Sequence, residues 1–207
     1  MGTIGTPITG VSITKEDIED FINVCMEDGI SATSLAEAIK LCLADISNIG
    51  LLVGLDASQT LDDEDLTLSV PDRYKDVLDI QLTDDGGSLE EPLIALSGGH
   101  EEYRRLMAES TTKNTPIYYS EYNGAFYLYP PPKEDYTVNI EYQKYDSQDP
   151  DDIEFGDEFS NALKFGSLYF YAMMKSRERY VKLWLPKYQN EKEMRRLNMN
   201  TQPSITR

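Results

Sequence analysis

Residues 117–129 read Ile-Tyr-Tyr-Ser-Glu-Tyr-Asn-Gly-Ala-Phe-Tyr-Leu-Tyr and carry the strongest local structural signal in the chain. Asn123-Gly124 supplies the positive φ angles of a two-residue type I′ turn, so the stretch predicts a β-hairpin. The short loop fixes the register and divides the side chains between two faces. One face holds Ile117, Tyr119, Phe126 and Leu128, and the other holds Tyr118, Tyr122, Tyr127 and Tyr129. Pro130 to Pro132 end the hairpin, because proline cannot donate a hydrogen bond to a neighbouring strand.

Further strand patterns lie on both sides of the hairpin. Residues 136–145 predict a third strand, with Val138, Ile140 and Tyr142 on its inward face. Upstream, residues 77–82 predict a strand, residues 84–87 its turn and residues 93–96 the return strand. A short polar helix is predicted around residues 101–107. Together these patterns indicate a small antiparallel β domain.

Both ends of the chain show helical periodicity instead. Two N-terminal helices are predicted from apolar residues at helical spacing, namely Ile18, Phe21, Ile22 and Cys25, then Leu35, Ile39, Cys42 and Ile46. Two C-terminal helices are predicted in the same way from Phe159, Leu163, Gly166, Phe170 and Met173, then Tyr180, Trp184 and Tyr188. Pro186 lies inside the last helix and should kink or split it.

The order of these patterns predicts an α+β fold, in which a helical bundle is interrupted by an inserted antiparallel β domain. We expect residues 1–50 to form an N-terminal arm and helical hairpin, and residues 51–150 the β-rich insert. Residues 151–207 would form the C-terminal helices and tail that complete the bundle. Residues 146–158 are interpreted as an acidic linker.

The charge of the chain is large and unevenly distributed. There are 37 Asp and Glu against 19 Lys and Arg, a net charge of −18, which argues against an independent nucleic-acid binder because phosphates would be repelled. Residues 160–207 nevertheless hold 10 Lys and Arg against 3 Asp and Glu, a net charge of +7. Such asymmetry is typical of an interaction segment. The alternative is that the basic helices only neutralise the acidic body of their own chain.

Residue patterns typical of enzymes and metal sites are nearly absent from the sequence. Cys25 and Cys42 fall in apolar helical patterns and are interpreted as small buried hydrophobic residues of a reducing compartment. His100 is the only histidine, and we interpret it as a solvated loop residue. The acidic runs 62–65 and 149–154 lack the order of a calcium loop and read as solvated charge. No run of about 20 apolar residues is present, so we predict a soluble intracellular protein without a membrane segment.

Several pieces of the sequence, in this order and spacing, resemble tailed-bacteriophage head–tail adaptor (connector or head-completion) proteins. The pieces are Leu68-Ser-Val-Pro-Asp-Arg-Tyr, Pro116-Ile-Tyr-Tyr, Asn123-Gly124, Phe126-Tyr-Leu-Tyr-Pro-Pro-Pro, Tyr136-Thr-Val-Asn-Ile-Glu-Tyr, Asn161-Ala-Leu-Lys-Phe-Gly-Ser-Leu, and Trp184 with Tyr188. The likeness covers residues 30–198. The N-terminal arm and first helix depart from the family pattern, and so does Pro186, where the family usually continues its helix.

This resemblance implies a structural virion protein of the neck, assembled in the cytoplasm of the bacterial host. It would form a ring, usually twelve-fold, below the portal, extend the DNA channel and dock the tail. Its partners would be the portal protein, tail proteins (a nozzle or tail-tube component) and other copies of itself. DNA would pass through without specific binding. We expect no enzymatic activity and no cofactor or metal.

Two groups of residues are candidate contacts within this interpretation. The basic group, expected to meet the portal, comprises Lys187, Lys192, Arg195 and Arg196. The aromatic group, expected to meet the tail or a neighbouring subunit, comprises Tyr118, Tyr122, Tyr127 and Tyr129. An alternative is a Tyr-rich β-platform that binds a protein or glycan ligand. A less favoured alternative is a hydrolase with a pair of catalytic carboxylates.

Overall fold

The structure is a computed structural model that describes residues 13–26, 30–49, 52–84 and 86–200. The predicted N-terminal arm and the last seven residues of the tail lie outside this range. In chain order the elements are α1 (Lys15–Cys25), α2 (Ala32–Ser47), β1 (Leu52–Leu61), β2 (Thr67–Ser69), β3 (Tyr74–Asp84), β4 (Ile94–Ala95), α3 (Gly99–Glu109), β5 (Tyr118–Tyr122), β6 (Ala125–Tyr129), β7 (Tyr136–Lys144), a 3₁₀ turn (Asp157–Phe159), α4 (Ser160–Met174) and α5 (Glu178–Asn200). The predicted mixed α+β class is confirmed.

The chain divides into two compact units. The β unit comprises Val53–Lys144, and the helical unit comprises the residues on either side of it, up to Leu52 and from Tyr145 onward. Residues 145–150 therefore group with the helices.

Helix α4 is the centre of the helical unit and packs against α1, α2 and α5. Close packing depends on Gly166, because a Cβ atom at this position would lie 2.4 Å from the Cys42 Sγ atom and 2.6 Å from the Tyr188 Cε2 atom. Burial raises the pKa of the Cys42 thiol to about 12, as expected for a cysteine that serves as core packing. The fully buried helical residues include Ile18, Ile22, Leu35, Ile39, Leu43, Ile46, Leu163 and Leu168.

Three predictions about the helical unit are corrected by the structure. Residues 146–158 are not a free linker, because Phe155 is buried and the Asp146 backbone N–H donates to the Ser47 hydroxyl at 3.0 Å. Met173 is 45% exposed, although its spacing predicted a position on the apolar face. Helix α5 is not split at Pro186, since it runs unbroken from Glu178 to Asn200. Buried Trp184 and Tyr188 hold it to the core on both sides of the proline.

The β unit contains two sheets, one in the order β1-β7-β3 and the other in the order β2-β6-β5-β4. The predicted hairpin is confirmed: Tyr122 pairs with Ala125, and the turn residues Asn123 and Gly124 have φ angles of 50° and 75°. The two predicted faces are also confirmed, with Phe126 and Leu128 fully buried. The third predicted strand is β7, whose inward residues Val138, Ile140 and Tyr142 are buried, and the predicted polar helix is α3.

The pairing of the upstream strands differs from the prediction. The partner of β3 is β7, with Ile80 opposite Ile140, and the expected return strand instead pairs in parallel with β5 through Ile94 and Tyr118. The β unit is therefore not purely antiparallel. The chain crosses from one sheet to the other at this point. The Leu93 N–H donates to the Ile80 carbonyl of β3, whereas the next N–H, of Ile94, donates to the carbonyl of Ile117, directly before β5. Strand β1 was not predicted, since its sequence lacks a clear alternation.

Candidate interaction surfaces

Helix α3 covers part of the tyrosine face of the hairpin. The carboxylate of Glu102 accepts a hydrogen bond of 2.7 Å from the Gly98 backbone N–H and so stabilises the start of the helix. His100 is therefore a helical residue, not the solvated loop residue that the sequence suggested. Its ring stacks on Tyr122, with 4.1 Å between centroids and 8° between ring planes.

The same cluster also includes Tyr127 and Tyr103. The ring centroids of Tyr127 and His100 lie 4.6 Å apart with 63° between the ring planes, and the ring of buried Tyr103 lies 5.3 Å from that of Tyr127, centroid to centroid. Burial raises the pKa of Tyr103, so its hydroxyl stays neutral. This packing removes much of the open aromatic surface that a platform for a glycan or protein ligand requires. Sequence reasoning missed it, although the three-residue spacing of His100 and Tyr103 places both on one helical face.

Part of the aromatic group nevertheless reaches solvent. Tyr122 is 48% exposed, and the guanidinium of Arg104 lies 6.0 Å from its ring centroid. Tyr118 and Tyr129 face each other across the hairpin and are half-buried. The accessible part of this surface is thus an aromatic edge with one cation beside it.

The basic group is divided between internal and external roles. Lys192 contacts both carboxylate oxygens of Asp45 at 2.7 Å, and the Tyr188 hydroxyl donates to the same carboxylate at 2.6 Å. Burial and Asp45 together raise the pKa of Tyr188 well above its usual value. Asp45, Tyr188 and Lys192, here called the α2–α5 tie, hold the two helices together. Lys192 therefore has a partner within its own chain, although its side chain is 32% exposed.

Three other cations remain in the basic group. Arg195 is partly buried and lies 3.9 Å from Glu191 on its own helix. Lys187 is exposed, with its ammonium 4.2 Å from the centroid of the Trp184 ring, and Arg196 is 64% exposed beside Glu193. Nine residues separate Lys187 from Arg196, about two and a half turns, so they lie on opposite sides of the helix. The four predicted residues do not form one patch.

The structure instead exposes an apolar stripe on α5. Leu183, Met194 and Leu197 are each about half exposed, and their spacing of 11 and 3 residues places them on one side of the helix. Lys187 lies on the same side. These four residues, called the outer face of α5, are missed when charge alone is used to choose candidates. Their spacing, away from the anchors Trp184 and Tyr188, is the signal that could have found them.

The structure also bears on membrane-spanning helices and metal sites. Among them, no helix is long and apolar enough to cross a membrane. Nor does any cluster of three or more His, Cys, Asp or Glu in the described ranges have the arrangement of a metal site.

A comparison with protein-family models matches residues 14–207 to the SU10 adaptor protein family. The chain belongs to this family. The SU10 adaptor family consists of phage adaptor proteins, which are structural components of the virion, and the resemblance is confirmed at this level. A comparison with curated proteins finds no match.

Proposed function

We propose that this chain is a head–tail adaptor that assembles as a ring, twelve-fold in the usual case, below the portal in the virion neck. The ring extends the DNA channel and docks the tail. The observation that carries this proposal is the family match over residues 14–207, which includes both units. Assembly takes place in the cytoplasm of the bacterial host.

The outer face of α5 is the proposed contact with the portal. It combines exposed apolar side chains with one cation, Lys187, and an apolar centre with a polar rim is typical of protein–protein interfaces. Trp184 supports it from beneath, because the Lys187 ammonium rests on its ring. Arg196 lies on the opposite side and Lys192 is occupied by Asp45, so neither belongs to this contact.

The aromatic edge is the proposed contact with the tail or a neighbouring subunit. Tyr118, Tyr122 and Tyr129 contribute accessible ring surface there, while Tyr127 serves mainly to pack α3. Tyrosine is favoured at interfaces because it combines a large apolar ring with a hydrogen-bonding hydroxyl.

The charge of the β unit suits a protein that lies beside DNA without binding it. Val53–Lys144 holds 19 Asp and Glu against 7 Lys and Arg, a net charge of −12. Such a surface repels phosphate, so DNA can pass without specific binding.

Portal binding tests the contact at α5. We expect the double variant Leu183→Glu with Lys187→Glu to weaken binding to the purified portal at least tenfold, by placing repelling charge on the outer face. Arg196→Glu is the matched control, because it reverses an exposed charge on the other side of the same helix. If the double variant and Arg196→Glu lose portal binding equally, or if neither variant loses it, the outer face of α5 is not the portal contact. Point variants are preferable to truncation from residue 190, which would also remove Lys192 from the α2–α5 tie.

Ring formation is tested separately by mass photometry and negative-stain imaging of the protein with and without portal. A ring in either sample supports the adaptor function. A monomer that persists in both samples argues against it. The same images report the number of subunits, for which we expect twelve.

A further inference from the structure

The turn between α4 and α5 is exposed and positively charged. Every residue from Met173 to Arg179 is exposed, and so is Lys182. These residues, here called the α4–α5 corner, hold four Lys and Arg against one Glu, a net charge of +3. In a chain whose net charge is −18, the corner is a local surface of opposite sign.

The cations of the corner are available to a partner. Lys175 lies 5.7 Å from the ring centroid of Tyr171, and neither Lys175 nor Arg179 forms a salt bridge with any residue that the structure describes. Lys182 lies 3.8 Å from Glu178, but both side chains are at least 80% exposed, so this pair contributes little. The corner therefore presents positive charge that its own chain does not neutralise.

The backbone of the corner is held in a defined shape. Ser176 has a φ angle of 53°, and the Arg177 N–H donates to the Ala172 carbonyl at 2.9 Å, a pattern that closes the C-terminus of a helix. The turn leaves Met173 and Met174 exposed. Methionine adapts to irregular apolar surfaces, and both methionine and arginine are enriched at protein–protein interfaces. A preorganised surface loses little conformational entropy on binding.

The β unit carries a groove of complementary character. The groove has a volume of about 260 Å³, and its apolar lining includes Pro92, Ile94 and Ile117. The two isoleucines are each about half exposed. Glu90 and Glu91 line the same groove, and neither carboxylate forms a salt bridge within the described part of the chain. This groove, here called the β4 groove, combines apolar surface with negative charge.

The chemistry of the corner favours a protein surface over nucleic acid. A phosphate backbone offers no apolar surface to Met173 and Met174, and it would repel Glu178 in the middle of the corner. An apolar groove with carboxylates at its side satisfies both the methionines and the cations. The β4 groove has this composition, and it belongs to the same chain.

Charge also decides how two copies of the chain can join. Two corners would oppose positive charges, and two grooves would bring Glu90 and Glu91 of both copies together, so only corner against groove is favourable. The overall repulsion between two acidic chains is screened beyond about 8 Å at physiological ionic strength. The opposite charges of a corner seated in a groove lie closer than this distance.

We propose that the α4–α5 corner of one copy docks into the β4 groove of the next copy. The methionines of the corner cover the isoleucines of the groove, while its cations pair with Glu90 and Glu91. Because the contact joins two different surfaces, it is heterologous and can repeat around a closed ring. This inference rests on the proposed ring, for which it names the contact between neighbouring subunits.

The experiment reverses the charge of each surface and then recombines the variants. The corner variant is Lys175→Glu with Arg179→Glu, and the groove variant is Glu90→Lys with Glu91→Lys. Mass photometry and negative-stain imaging count the copies that each variant, and an equal mixture of the two, places on the purified portal. In the mixture, the reversed corner of one variant meets the reversed groove of the other, and the unchanged corner meets the unchanged groove.

We expect each variant alone to need at least a tenfold higher concentration than wild type to complete the ring, and the mixture to complete it at the wild-type concentration. Either variant completing the ring as readily as wild type overturns the proposal. A mixture that stays as deficient as its components also overturns it. If the wild-type protein forms no ring with or without portal, the proposed function fails and this contact with it, so the two failures give different results.

A control separates the contact from the effect of net charge. Lys40→Glu with Arg196→Glu makes the same change in net charge as the corner variant, at two exposed positions of the helical unit outside the corner. We expect this control to complete the ring at the wild-type concentration. A control as deficient as the corner variant would show that net charge alone governs assembly and would overturn the proposal.

Discussion

Replacing Asp45 with alanine should loosen α5 from α2 more than any change at an exposed carboxylate of the helical unit. The Asp45 carboxylate accepts a hydrogen bond of 2.6 Å from the Tyr188 hydroxyl, and Tyr188 is only 3% exposed. A hydrogen bond to a charged group contributes about 1.5–3 kcal/mol, and a buried hydroxyl left without a partner costs a similar amount. The Lys192 ion pair adds at most about 1 kcal/mol, because both side chains are about one third exposed. We therefore expect Asp45→Ala to lower the free energy of unfolding by about 2–4 kcal/mol.

Trp184 provides the assay, because it is the only tryptophan and is buried in the helical unit. Urea unfolding followed by its fluorescence reports on this unit and not on the β unit. Asp45→Asn keeps an acceptor for the hydroxyl and should lose roughly half as much stability as Asp45→Ala. Asp20→Ala, at an exposed position of α1, is the control and should change stability by less than about 0.5 kcal/mol.

A double-mutant cycle tests the hydrogen bond between Asp45 and Tyr188 directly. Tyr188→Phe combined with Asp45→Ala should show a coupling free energy of about 1.5–3 kcal/mol, since the two groups share one charge-assisted hydrogen bond. Additive effects would refute the α2–α5 tie, and so would an Asp45→Ala protein as stable as the control.

Three further outcomes follow from the same structure. Gly166→Val should lower the free energy of unfolding of the helical unit by about 2–3 kcal/mol in urea, because even a Cβ atom at this position would overlap Cys42 and Tyr188. Unchanged stability would contradict this and show that the core can adjust. Gly124→Val should cost the β unit about 1–2 kcal/mol, as measured by hydrogen exchange, since φ is +75° and no atom lies within 4 Å, so only backbone strain opposes it. Burial raises the pKa of Tyr74 and of Tyr188 above 10. Above about pH 10 these hydroxyls therefore ionise in the unfolded chain but stay protonated in the folded one. We expect the free energy of unfolding to keep its full value below about pH 10 and to fall above it. A melting temperature that stays constant up to about pH 11 would contradict this third prediction.

The parts of the fold that the sequence predicts correctly are those decided by neighbouring residues. Asn123-Gly124 can adopt the turn whatever surrounds it, and a two-residue loop leaves only one register for Tyr122 and Ala125. The predictions that failed concern partners far apart in the chain, such as the pairing of β3 with β7.

The candidate interaction residues show the same difference between features decided by neighbouring residues and features decided by residues far apart in the chain. Charge counting identified the C-terminal segment as unusual, but it could not tell that Asp45, 147 residues earlier, occupies Lys192. Alternation identified the tyrosine face, but it could not place His100 against Tyr122. These contacts depend on where α5 and α3 dock, and docking is decided by the shape of the whole core.

By itself the sequence determined the mixed α+β class, the hairpin and its two faces, and the resemblance to a phage adaptor, because each rests on short-range periodicity or ordered motifs. Only the tertiary structure decided which side chains remain available to a partner. It paired one predicted cation, Lys192, with Asp45, packed His100 against the tyrosine face, and left the outer face of α5 exposed. The physical reason is that a side chain's exposure depends on every element packed around it, whereas its secondary structure depends mainly on its neighbours in the chain.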